Sequence, residues 1–246
     1  MNTYQIHVDT ASLQSATSSQ ALVSKTNSNP FQCSVLFGNR HRGFKTASLL
    51  NAQIPIGFYN VRSPYNSITI ASNTYTVNPG SYTTPASFLT AVSNVTAPLN
   101  GTWSYLSNTN QINFSSGSSM TITVPTGLTY PSLAQLLGFT STQTGTSITA
   151  QNSYIINFDT YINIFIENIG TSSLEPSQIT YKVPVNGAVG NVIYWNENSQ
   201  FTQKINVTDD RSRVDRLNIT VLDRFGNILN NNGLDWSFSI EVESEN

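Results

Sequence analysis

Charge is what this chain lacks most. Charged residues make up 10% of its 246 positions, against about 25% in ordinary soluble domains. The shortage is local: from Ser63 to Phe158 there is no Asp, Glu, Lys, Arg or His at all. That stretch is not a membrane segment, because Ser, Thr and Asn punctuate it and no run approaches about 18 apolar residues. Cysteine is nearly absent too. Cys33 stands alone, which excludes an internal disulfide and favours assembly in a reducing compartment. The only histidines, His7 and His41, are too few and too separated for a zinc site, so neither metal nor cofactor is expected. The opening residues, MNTYQIHVDTASLQ, have neither the basic nor the apolar region of a secretory leader. No nucleophile elbow, Walker A loop, dinucleotide fingerprint or H-E-x-x-H pair occurs, and no acid–base pair stands out. An enzyme is not expected.

What is present is patterned. Aromatic residues are 11% of the chain, and apolar residues recur in strands, so low charge does not mean disorder. The charge-free stretch reads as a separate module, solvated by hydroxyls and amides and inserted into a host of different composition. Within it lie short hairpins such as SITIA and TYTV, and a helix over TTPASFLTAVSNVTAPL with Thr at the cap and Pro85 in the first turn. Three strands, TWSYL, QINFS and MTITV, come before a short helix, YPSLAQLLGF, that stops at Gly138. TSTQTGTSITAQ then reads as a linker.

The flanks carry longer strands: FQCSVLFG, KTASLLNAQIPIGFYNV, YIINFDTYINIFIEN, ITYKVPV, NVIYWNE, FTQKINV, RLNITVLD and DWSFSIEVE. Eight antiparallel strands without intervening helices predict an all-β sandwich, with a single jelly roll as the leading form and a small inserted α+β domain. The expected division is a flexible arm over 1–30, a discontinuous jelly-roll domain over 31–62 and 155–246, and the inserted domain over 63–154. Five N-x-[ST] sequons, at Asn94, Asn100, Asn113, Asn206 and Asn218, read as accidents of an Asn- and Thr-rich chain.

Few residues invite a functional role. The run DDRSRVDR sets Asp209, Asp210 and Asp215 against Arg211, Arg213 and Arg216. It reads either as a solvated loop whose charges cancel or as a subunit contact in which Arg–carboxylate pairs fix register. Arg40, Arg42 and Lys45, in and after the loop NRHRGF, read either as solvated or as a contact with an acidic neighbour, a few phosphates or another partner. Cys33 lies on an alternating strand, where a buried thiol is the expected role. Tyr194, Trp195 and Trp236 could line a sugar site, but alternation in strands favours core packing. A net charge of −2 and a pI near 5.6 imply no overall grip on nucleic acid.

The final third, VPVNGAVGNVIYWNENSQFTQKINV followed by LNITVLDRFGNILNNNGLDWSFSIEV, resembles the C-terminal end of penton, or minor capsid, proteins. These belong to virophages, polinton-like viruses and related large icosahedral DNA viruses. The matching elements are Ile193 to Glu197, the turn Asp223-Arg224-Phe225-Gly226-Asn227, and the closing Gly233-Leu234-Asp235-Trp236-Ser237-Phe238. LLNAQIPIGFYNV, YTVNPGSYT and LAQLLGF are similar to the family's first half. The resemblance implies an upright single jelly roll, five copies closing a ring at the capsid vertex, surrounded by trimers of double jelly-roll major capsid protein. It implies a virion component assembled in the host cytoplasm or a viral factory, without catalytic residues, membrane span or specific nucleic acid. The inserted domain would face outward, where a host receptor or fibre could dock. The competing class is a receptor- or glycan-binding fibre head, which uncharged Ser/Thr/Asn-rich β-structure also suits.

Overall fold

In the computed structural model the described residues are 2–15, 23–26, 29–42, 44–167, 178–196, 204–206 and 213–244. The chain begins with β1 (Asn2–Asp9), β2 (Val23–Thr26), β3 (Asn29–Arg42) and β4 (Phe44–Pro55). The middle holds β5 (Ser67–Ile70), β6 (Asn73–Thr76), α1 (Pro85–Thr96), β7 (Thr102–Leu106), β8 (Gln111–Thr123), the single turn α2 (Leu133–Leu136) and β9 (Gln143–Thr149). It closes with β10 (Tyr161–Glu167), β11 (Gln178–Pro184), β12 (Val192–Asn196), β13 (Lys204–Asn206), β14 (Arg213–Leu222) and β15 (Ser237–Ser244). These elements form two compact units, residues 1–58 with 159–246, and residues 59–158.

The first unit has two antiparallel sheets. One runs β1-β15-β4-β12, with β13 also on β4; the other runs β11-β10-β14-β3-β2. Because side chains alternate along a strand, each sheet turns one apolar row inward. Phe238, Ile240 and Val242 from β15 meet Leu217, Ile219 and Val221 from β14 in a single core. Strand β4 keeps that face buried through a change of phase. Ala47 and Leu49 are buried on odd positions, Ala52 and Ile54 on even ones. The register steps from Ile240↔Leu49 to Ser239↔Asn51, which leaves Leu50 as the extra residue of a bulge.

The sequence reading of a flexible arm over 1–30 is corrected at both ends. Asn2–Asp9 forms β1, paired with β15 from Asn2↔Ser244 to Asp9↔Ser237. Tyr4, Ile6 and Val8 alternate with Thr3, Gln5 and His7, and Val8 is buried in the core. At the far end β3 already begins at Asn29, whose side chain is buried. Residues 16–22 of the expected arm lie outside the described residues.

The second unit has its own core. Its sheet is ordered β6-β5-β8-β7, with β9 also on β8. Helix α1 starts where the sequence places it: Thr84 Oγ1 accepts from Ser87 N at 3.1 Å, and Ser87 Oγ accepts from Thr84 N at 3.3 Å, a reciprocal cap. Phe88, Leu89 and Val92 of the helix are buried with Trp103, Phe114 and Phe139. Two expectations fail here. QINFS and MTITV are one strand, β8, because pairing with β9 resumes at Met120↔Gly145 after a break. The supposed linker TSTQTGTSITAQ contains β9, in which Ile148 is buried against the sheet. The core also takes in Val61 at the entry and Tyr154 and Ile156 at the exit, so the division falls at residues 58/59 and 158/159.

With no ionised groups on its sheet, this unit satisfies its open face with hydroxyls and amides. Ser67 Oγ pairs with Thr76 Oγ1 at 2.9 Å, Thr121 Oγ1 with Thr144 Oγ1 at 2.7 Å, and Asn113 Nδ2 donates to Thr149 Oγ1 at 2.9 Å. These are cross-strand pairs, each adding a few tenths to about 1 kcal/mol.

Candidate assembly surface

Parts of the two charged groups singled out from sequence share one strand pair. Antiparallel pairing of β14 with β3 sets Arg213 opposite Arg42 and Val214 opposite His41. The register then breaks and resumes at Arg216↔Leu36, so Arg40 and Asp215 lie within the irregular stretch. Arg40 and Arg42, expected in a loop, are thus part of β3, and Lys45 follows near the start of β4. Asp209, Asp210 and Arg211 lie outside the described residues. The placement of Arg213 opposite Arg42 is the feature that sequence spacing could not show.

Beside this end, β13, β4 and β15 carry a second polar group. Lys204 Nζ lies 2.9 Å from Glu243 Oε1, and Thr46 Oγ1 donates to Glu243 Oε2 at 2.7 Å. The hydrogen bonds from Thr46 and Lys204 hold the Glu243 carboxyl below the usual carboxylate range. A carboxylate with a lowered folded pKa stabilises the fold above its unfolded pKa, and that contribution disappears as pH falls through the folded value. Glu243→Gln is therefore expected to lower the melting temperature slightly at neutral pH. The difference should close when both proteins are melted below the carboxylate range. A gap that persists there would mean the carboxylate's charge is not what matters.

The opposite end of the sandwich is held by side-chain hydrogen bonds, most of them to the backbone. Thr10 Oγ1 donates to Asp235 Oδ1 at 2.9 Å and accepts from Trp236 N at 2.8 Å. Trp236 Nε1 donates to Pro30 O at 2.8 Å, and its ring stacks on Phe238 with centroids 4.9 Å apart. Asn29 Nδ2 donates to Leu229 O at 2.7 Å, while Asn231 Oδ1 accepts from Gly57 N at 2.8 Å. The buried Asp223 carboxylate accepts from Phe225 N at 2.8 Å and Asn227 N at 2.9 Å, which closes the β14–β15 turn on itself. Two motifs that carry the sequence resemblance, 223–227 and 233–238, are therefore structural. Thr10, Asn29 and Asn231 do this work without having been picked out in the sequence.

Among the described residues, eight strands supply these two sheets if the short edge strand β2 is set aside and β12 and β13, which both pair with β4, count as one. Numbered in chain order, one sheet then runs first, eighth, third, sixth and the other second, seventh, fourth, fifth. Compared with solved structures, the chain matches the mavirus penton protein with a TM-score of 0.55 at 9% identity, covering 100% of both chains. The fold is shared with a penton protein. No family model matches the chain, and neither does any curated protein. The resemblance read from the sequence holds as a likeness of fold.

Within this penton-like fold the aromatic trio divides. Trp195 and Trp236 are buried in the core as expected, but Tyr194 is corrected: it is 74% exposed. Alternation places it on the outer face of β12, between the inward Ile193 and Trp195. Cys33 is buried, and burial pushes its thiol up to about 12. Since the thiolate is the reactive form, a thiol reagent at mildly alkaline pH should label the chain only after denaturant is added. Rapid labelling of the native protein would contradict this. His7 Nδ1 lies 2.9 Å from Ser239 Oγ across β1 and β15. Among the described residues no cluster of three His, Cys, Asp or Glu side chains could hold a metal ion. No helix among them is long and apolar enough to cross a membrane.

Proposed function

We propose that this chain is a structural capsid protein, the penton that closes fivefold rings at the vertices of an icosahedral shell. The observation that carries this reading is the likeness to the mavirus penton protein over the full length of both chains. The strand order supports a single jelly roll, with its two sheets drawing on alternate parts of the chain. In this reading residues 59–158 are the inserted domain on the outward side, and the remaining residues are the jelly roll. Double jelly-roll major capsid protein trimers would flank each ring in the virion. A cyclic ring needs a heterologous contact, in which one side of each copy meets the other side of the next. An inserted domain whose one ionisable Asp, Glu, Lys, Arg or His residue is Arg62 would largely spare five crowded copies mutual repulsion, and it would leave room for a receptor or fibre.

The purified chain is expected to sediment as a pentamer and to appear as fivefold rings in negative stain. A trimeric spike would overturn this in favour of a fibre head. A monomer with measurable sugar affinity would favour a glycan-binding module.

A further inference from the structure

We infer that neighbouring copies of this chain meet flank to flank through Tyr194. The phenol on β12 of one copy packs at the β1 edge of the next and hydrogen-bonds to Asp9. This rests on the reading of the chain as a ring-forming capsid protein and names the contact that sets the level at which copies join.

The first support is what stands open. Tyr194 is 74% exposed, and Val192, two residues before it on the same outward face, is 37% exposed. Both lie on the end strand of a sheet, since among the described residues β12 pairs with β4 alone. Sheet ends are usually guarded by charge or by proline. The end strand of the other sheet, β11, lies beside β12 and is guarded in that way, with Lys182 exposed and Pro184 at its close. Strand β12, Val-Ile-Tyr-Trp-Asn, has neither. An open tyrosine on such an edge is a side chain that protein contacts favour, a rigid ring with a hydroxyl to donate.

The second support is register. Three rows cross the sheet from β12 to β1: Tyr194–Gln53–Ser237–Asp9, Trp195–Ala52–Phe238–Val8 and Asn196–Asn51–Ser239–His7. The middle row is buried, so Tyr194 and Asp9 both lie on the outer face, at opposite edges and at one level. Copies turned about an axis along the strands move sideways and keep their level. The β12 edge of one therefore meets the β1 edge of the next row against row. With four antiparallel strands from edge to edge, β12 of one copy also runs antiparallel to β1 of the next.

The chemistry matches as well. Asp9 Oδ1 accepts from Ala11 N at 2.9 Å, and among the described residues no donor reaches Oδ2. A phenol hydroxyl supplies one, and a carboxylate acceptor makes that bond a strong one. Among the described side chains, β11 and β12 carry one cation, Lys182, and β1 carries one anion, Asp9. The two flanks are thus complementary within one molecule and along one set of rows. A second copy requires that arrangement, whereas an unrelated partner does not.

The test is a double-variant cycle on the full chain, read as the self-association constant by sedimentation. Tyr194→Ala and Asp9→Ala, each alone, should raise the dissociation constant by about tenfold or more. The double variant should be no more than about threefold weaker than the worse single one, because both remove the same contact. Circular dichroism melts check that each protein is folded. Asp9→Asn, which keeps an acceptor for Ala11 N, replaces Asp9→Ala if that variant melts early. Folded single variants that assemble like wild type into rings would overturn the contact and leave the penton reading standing. Losses that multiply to about a hundredfold in the double variant would place the two residues in separate contacts and overturn it too. A wild-type chain that never self-associates would remove the penton reading itself, and this inference with it. If Tyr194→Ala leaves the rings intact and loses binding on a glycan array, the tyrosine serves a sugar and the inference is overturned.

Discussion

Trp236→Ala should cost the sandwich about 3–5 kcal/mol, the range for deleting a buried aromatic side chain. The indole is only 2% exposed. It stacks on Phe238 and meets Phe31 edge-on with centroids 5.7 Å apart. Its loss removes these contacts, opens a cavity between the sheets and leaves the buried Pro30 carbonyl without its donor. Domains have net stabilities of roughly 5–15 kcal/mol, so the change threatens folding outright. Trp236→Phe keeps most of the ring and loses only the donor, and about 1–2 kcal/mol is expected. Urea melts of the two variants decide the matter. Equal losses would mean that the hydrogen bond, and not the packed ring, is what counts.

The second large effect is in the other unit. Gly138 follows α2 with φ of 94°, a conformation that residues with a Cβ rarely adopt. Its carbonyl accepts from Asn152 N at 3.0 Å, and an added Cβ would run into the Asn152 carbonyl oxygen and the Ala150 methyl. Backbone strain and overpacking together put Gly138→Val at about 3–4 kcal/mol. Because each unit has its own core, the damage should stay local. Hydrogen exchange is expected to rise in peptides from 59–158 while peptides from β14 and β15 keep their protection. A uniform rise across the chain would show that the two units unfold together.

These residues also show what a sequence can and cannot disclose. The capped start at Thr84 and the stop at Gly138 depend on neighbours a few positions away, and both were legible. The unbroken absence of ionisable residues over 63–158 likewise needs no pairing information to be seen. Strand β1 was within reach, since Tyr4, Ile6 and Val8 alternate plainly, but the polar run after Asp9 drew those residues into an arm. Its partner lies at the other end of the chain, and nothing local announces that. Strand β9 failed for a similar reason: it has few apolar residues, Ile148 among them, and owes its existence to the edge of β8. The split of Tyr194 from Trp195 follows from alternation alone, whereas grouping residues by type concealed it. The meeting of Arg42 with Arg213 belongs to register. It appears only when residues some 170 positions apart in sequence are laid side by side.

The β1–β15 pair has a consequence for how the chain is made. Asp9 leaves the ribosome long before Ser237, its partner across the pair. At about 5–20 residues per second the first strand waits on the order of 10–50 s for its neighbour. The contacts of 59–158 are all complete well before that, so the insertion is free to fold while its host is still half made. The host closes last, when the final strand slides between β1 and β4, and until then two strand edges stand open to any passing chain.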